Sequence, residues 1–67
     1  MTIQGKQIDD ASIYDAFGRW DRDDYAVIVV LLADGTYRKF ESHDADEANT
    51  MQKLLVQAVD LARKNNS

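Results

Sequence analysis

The sequence predicts a small α+β domain, with an antiparallel β-hairpin over about 25–33 and 36–42 packed on a C-terminal α-helix over about 45–64. A short helix or strand precedes the hairpin. Three observations predict this. Val27-Ile28-Val29-Val30 is a β-branched run, Asp34-Gly35 is a turn dipeptide that comes closely after it, and the C-terminal segment repeats its apolar residues at helical spacing. The whole chain, 1–67, reads as a single domain, because 67 residues fall below the usual size of even one.

Taken in order, Met1 to Ile8 is expected to add a short edge strand. The next segment is ambiguous. Ile13, Ala16, Phe17 and Trp20 fall at i, i+3, i+4 and i+7, which reads as a short helix from about Asp10 to Gly18, with Asp9 or Asp10 as cap and Gly18 as stop. The same residues fit an outer strand from Ser12 to Trp20, turned back by Asp21-Arg22-Asp23-Asp24. The cap and the stop favour the helix.

Tyr25 to Ala33 is the clearest strand, and Thr36 to Ser42 returns beside it. Asp and Gly tolerate the positive φ that a tight hairpin turn requires. A two-residue turn would set Val29 opposite Phe40 and Leu32 opposite Tyr37, whereas a bulged three-residue turn would set Ile28 opposite Phe40. The first strand is apolar on both faces and therefore wants cover on both.

The C-terminal helix supplies one cover. Asp44 suits the N-cap with Glu47 three residues on, Asp46 and Glu47 suit the positive end of the helix dipole, Arg63 and Lys64 suit the other end, and Asn65-Asn66 stop it. Ala48, Met51, Leu55, Ala58 and Ala62 form an apolar stripe that Leu54, Val59 and Leu61 widen, and the apolar arc from Leu61 round to Val56 spans roughly 220°. One hairpin face cannot cover that arc. Either the N-terminal segment packs there too, or a second copy of the chain does, and Met51, Leu55, Ala58 and Ala62 are the candidate dimer seam.

Composition narrows the chemistry. The chain has no cysteine and one histidine, His43, so thiolate metal sites, a cysteine nucleophile and multi-histidine metal sites are excluded. Asp21, Asp23 and Asp24 invite a calcium reading, but an EF-hand loop counted from Asp21 needs Gly at its sixth position and Glu at its twelfth, where Ala26 and Leu32 stand. His43 with Asp44 and Asp46 reads as the approach to the helix rather than as an acid–base site. No phosphate-binding glycine loop or HExxH motif is present. The expectation is a non-enzyme without cofactor or metal.

The net charge of -4 disfavours a grip on nucleic-acid phosphates, and no apolar run spans a membrane, so a cytoplasmic protein is expected. The negative charge is clustered. Residues 9–24 hold six acids against Arg19 and Arg22, and residues 41–47 hold Glu41, Asp44, Asp46 and Glu47 with no Lys or Arg. The two clusters flank the hairpin and could join into one acidic surface that attracts basic partners. Trp20, Tyr25 and Tyr14 lie near the first cluster as candidate binding aromatics.

With its length, its Tyr25 to Ser42 hairpin preceding the Ala45 to Lys64 helix, and carboxylates at Asp21, Asp23, Asp24, Asp44, Asp46 and Glu47, the chain resembles the small, acidic, cysteine-free anti-defence proteins of bacteriophages, anti-CRISPR proteins among them. That resemblance implies an inhibitor that binds a nuclease or its effector complex and blocks nucleic-acid access. It carries over no functional residue. The build also resembles small antitoxin-like domains, although no DNA-binding segment is present. The expected function is therefore a protein-binding module whose acidic surface blocks a basic partner; the alternative is a small homodimeric structural or antitoxin-like domain.

Overall fold

The computed structural model describes residues 1–21 and 24–67. Among the described residues, five strands and one α-helix run in chain order: β1 (Thr2–Ile3), β2 (Lys6–Gln7), β3 (Ile13–Asp21), β4 (Tyr25–Leu32), β5 (Tyr37–Ser42) and α1 (Ala45–Asn65), with a 3-10 turn at Asp10–Ser12 ahead of β3. The last three strands form an antiparallel sheet in the order β3-β4-β5, and β1 and β2 pair separately. The α+β fold, with a hairpin packed on the C-terminal helix, is the one expected.

The hairpin takes the bulged register. Ile28 lies opposite Phe40 and Leu31 opposite Tyr37. Gly35 N–H donates to Leu32 O and Leu32 N–H to Thr36 O, while Gly35 takes a φ of 89°, which costs a residue without Cβ nothing. Asp34 Oδ1 accepts from Thr36 N–H at 2.9 Å and from Thr36 Oγ1 at 2.6 Å, closing the turn from inside. This register sends Ala26, Ile28, Val30 and Phe40 to the helix side, where all four are buried.

Residues 13–21 are strand and not helix. Ile13 pairs with Leu32 and Asp15 with Leu31, so Tyr14 is an extra residue in a β-bulge. The bulge shifts the alternation by one position. Ile13 and Ala16 consequently both face the core, while Phe17 faces away, and the spacing imitates a helix. Gly18 is not a helix stop. It sits opposite Ile28, where an added Cβ would lie 2.5 Å from Val27 O and 2.9 Å from Leu55 Cδ2. Asp9 does cap, accepting from Ala11 N–H, but the element it caps is one 3-10 turn.

Helix α1 is held at both ends by side chains. Asp44 Oδ1 accepts from Asp46 and Glu47 N–H at 2.8 and 3.2 Å. At the far end Asn65 Nδ2 donates to Asp10 O and Ile13 O, and Asn66 Nδ2 to Tyr14 O and Ala62 O. The centre of the apolar arc is covered within the chain, because Ile3 and Ile8 join the same buried cluster as Ala48, Met51 and Ala62, while its rim at Val56 stays exposed. Gln4 (φ 50°) and Gly5 (φ 76°) form the β1–β2 turn, and Gln4 Nε2 donates to Glu41 O and Glu47 Oε1, both at 2.7 Å.

This arrangement corrects the helix seam. Met51, Ala58 and Ala62 are buried against the chain's own elements and Leu55 is half-buried, so the stripe is not a surface open to a second copy. Among the described residues, no helix is long and apolar enough to cross a membrane.

Candidate protein-interaction site

Antiparallel pairing decides which loops meet. Asp21 closes β3 opposite Tyr25, and Ala26 lies opposite Ser42, so the chain leaves β3, enters β4 and leaves β5 at the same end of the sheet. Asp21, Asp24, Asp44, Asp46 and Glu47 are all exposed there. Asp23 belongs to the same expected cluster and lies outside the described residues.

Tyr25 connects the two segments. Its ring centroid is 4.9 Å from that of His43 at a 46° tilt, and its hydroxyl donates to Glu41 Oε2 at 3.3 Å. Lys39 Nζ meets Glu41 Oε1 at 3.1 Å. The hydrogen bond and the charge of Lys39 hold the Glu41 carboxyl below its ordinary value, with Tyr25 adding to the effect, and Glu41 in turn raises the Lys39 ammonium. Buried Ser42 accepts from Asp44 N–H at 3.2 Å through its hydroxyl, which fixes the path from β5 into the helix cap.

The expected aromatics are only partly brought together. Tyr25 lies at the acidic end, and Trp20, opposite Ala26, is half-buried on the helix side of the same end. Tyr14 sits at the far end of β3, in an open groove with Asp15, Val59, Ala62, Arg63 and Asn66. His43 is exposed and lines neither this groove nor the second one, which runs between Gln4 and the first two turns of α1. Among the described residues, no three His, Cys, Asp or Glu side chains gather to hold a metal.

Compared with protein-family models, curated proteins and solved structures, the chain matches none. The site therefore stands on its geometry alone.

One surface went unlocated in the sequence. The sheet face turned away from α1 carries Tyr25, Val27, Val29 and Leu31 down its middle strand, all half-buried, with Phe17 and Tyr37 beside them at 52% and 61% exposure. Across the strands its rows read Asp15–Leu31–Tyr37, Phe17–Val29–Lys39 and Arg19–Val27–Glu41. The signal was present in β4, which is apolar on both faces while the helix can lie on only one.

Proposed function

We propose that the chain is a non-enzymatic protein-binding module, an inhibitor that presents its acidic end to a basic, nucleic-acid-handling protein such as a bacterial defence complex and blocks it sterically. One observation supports this reading: the strand pairing brings Asp21 and Asp24 to the end of the sheet where Asp44, Asp46 and Glu47 follow β5. A field of one sign concentrated on one end steers an oppositely charged partner into the encounter and can occupy a cleft built for phosphates. The backbone of three of these carboxylates is fixed, Asp21 by the β3–β4 ladder and Asp46 and Glu47 by the capped first turn of α1, so they lose less freedom on binding.

The experiment is capture of a partner from bacterial lysate, then titration of the purified pair at several salt concentrations. Replacing Asp21, Asp23 and Asp24 together by Asn is expected to weaken binding at least about tenfold, or about 1.4 kcal/mol, while leaving the melting curve nearly unmoved. Added salt is expected to weaken wild-type binding, since exposed charges are screened beyond about 8–10 Å. A partner that binds the triple variant as tightly as wild type, without salt dependence, would refute the acidic-end reading.

A further inference from the structure

We propose that the sheet face opposite α1 is the seam of a homodimer, in which two copies pack sheet against sheet about a two-fold axis parallel to β4. The face has the form of half a sandwich: α1 and the β1–β2 hairpin close one side of the sheet, while β4 keeps an apolar column on the other, flanked by Phe17 and Tyr37. A strand apolar on both faces wants cover on both, and facing sheets pack about 10 Å apart with strands within roughly 30° of parallel.

The pattern of the face selects its occupant. Rotation about an axis along the middle strand lays each β3 residue over the β5 residue of its own row in the second copy. Arg19 then meets Glu41 of the second copy, Phe17 meets the Lys39 ammonium, and Asp15 meets the Tyr37 hydroxyl, each contact occurring twice. Val27, Val29 and Leu31 pack on their own copies along the axis. Both charged rows thus find opposite charge or an aromatic face, and Asp15 finds a donor. An axis across the strands through Val29 would also bring Arg19 onto Asp15, but it would set Lys39 on Lys39 at the centre and leave Glu41 facing the Tyr37 hydroxyl in place of a cation. Glu41 is already held by Lys39 and Tyr25, one on each oxygen, yet a carboxylate has about four acceptor positions and can take a guanidinium as well.

The area is modest. Three strands at about 4.8 Å and seven residues at about 3.4 Å give a footprint of roughly 14 by 24 Å, which with side-chain relief reaches about 1,000 Å² over both copies, the lower bound for a specific interface. The dimer is therefore expected to exchange with monomer in a concentration-dependent way.

Sedimentation equilibrium of the full chain over a concentration series up to millimolar tests this, with circular dichroism to verify folding. Wild type is expected to pass from monomer to dimer. Val29→Lys sets two ammonium groups against each other on the axis and is expected to leave a folded monomer. Arg19→Glu and Glu41→Arg singly are each expected to weaken dimerisation about tenfold or more, and the double variant, which restores opposite charges, to recover most of the loss. A wild-type monomer throughout, a folded Val29→Lys that still dimerises as wild type does, or a double variant without recovery would each overturn the proposal. If Val29→Lys fails to fold, the charge exchange decides alone.

Discussion

Gly18→Ala puts the close approach of β3 to β4, beneath α1, to a direct test. The added Cβ would stand 2.5 Å from Val27 O and 2.9 Å from Leu55 Cδ2. Leu55 Cδ2 is the tip of a flexible, half-buried side chain and can swing aside. Val27 O is backbone in the central strand and can be relieved only by moving β3 away from β4, which strains the ladder at the Gly18–Ile28 pair. Overpacking of this kind costs about 1–3 kcal/mol. Against it stands the smaller unfolded-state entropy of Ala, a gain of about 0.4–1 kcal/mol where the backbone accepts a side chain. The net expectation is a loss of about 1–2 kcal/mol, which for a domain of this size lowers Tm by about 4–16 °C. Urea unfolding monitored by Trp20 fluorescence measures it, with an unchanged slope showing that the compactness of the end states has not altered. Leu55→Ala in the same chain should relieve only part of the clash, because the carbonyl contact remains. A Gly18→Ala protein as stable as wild type would refute the close approach of these elements.

Three further outcomes are expected. Met51→Ala empties a fully buried position shared with Ile3 and Ala48 and should cost about 2–5 kcal/mol in urea unfolding. Asp44→Ala removes the acceptor for Asp46 and Glu47 N–H and should cost about 0.5–2 kcal/mol, read from the helical circular dichroism melt. The Asp34 carboxyl lies below its ordinary value because the Thr36 hydroxyl and N–H donate to it, so Thr36→Ala should raise its midpoint in a carboxyl-detected NMR titration while leaving the backbone contribution. Asp34 and Glu41 both have depressed folded values; the stability they add is therefore present above the unfolded carboxylate range and is lost as pH falls through their lower folded midpoints.

Legible in the sequence was whatever local chemistry decides. The Asp34-Gly35 turn and the Asp44 cap are each determined within a few residues, and each stands where the residue types place it; the Asn65-Asn66 stop stands there too, with long-range bonds to Asp10, Ile13 and Tyr14 added to the local ones. For residues 13–21 the favoured helix gives way to the alternative outer strand because the bulge of β3 is a pairing event. Tyr14 becomes an extra residue only once Ile13 and Asp15 have chosen Leu32 and Leu31, and without that slip the spacing of Ile13, Ala16 and Phe17 is helical. Cover of α1 by the N-terminal segment was one of two readings the sequence left open, and the choice falls to Ile3 and Ile8, which reach residues from the opposite end of the chain through a hairpin of very short strands. The acidic clusters were visible as composition, but the sequence did not show that Asp21 and Asp24 share one end with Asp44, Asp46 and Glu47 while Asp9, Asp10 and Asp15 stand at the other; that division depends on Asp21 facing Tyr25, Ala26 facing Ser42 and Asp15 facing Leu31. The open sheet face was implied by β4, whose apolar residues alternate without a polar side, although nothing local said which side α1 would take.

The two surfaces meet at one corner, where Arg19, Tyr25 and Glu41 border both the sheet face and the acidic end. An axis parallel to β4 keeps the strands of both copies pointing the same way, so the two acidic ends stand side by side. Each copy carries a net charge of -4, and that repulsion opposes the seam even where Arg19 and Glu41 pair across it. A basic partner seated on the paired ends would cancel this repulsion, and linkage then requires that partner binding tighten the dimer by the same factor by which dimerisation tightens partner binding. Salt acts on the same balance: it screens the repulsion between the ends and also the Arg19–Glu41 contacts. The Arg19→Glu and Glu41→Arg double variant separates these effects, because it preserves the net charge and the contact while exchanging its direction. Its dimer should respond to salt as wild type does, whereas either single variant, with like charges facing across the seam, should gain more from added salt than wild type. Equal salt responses from all four proteins would show that Arg19 and Glu41 never meet across an interface.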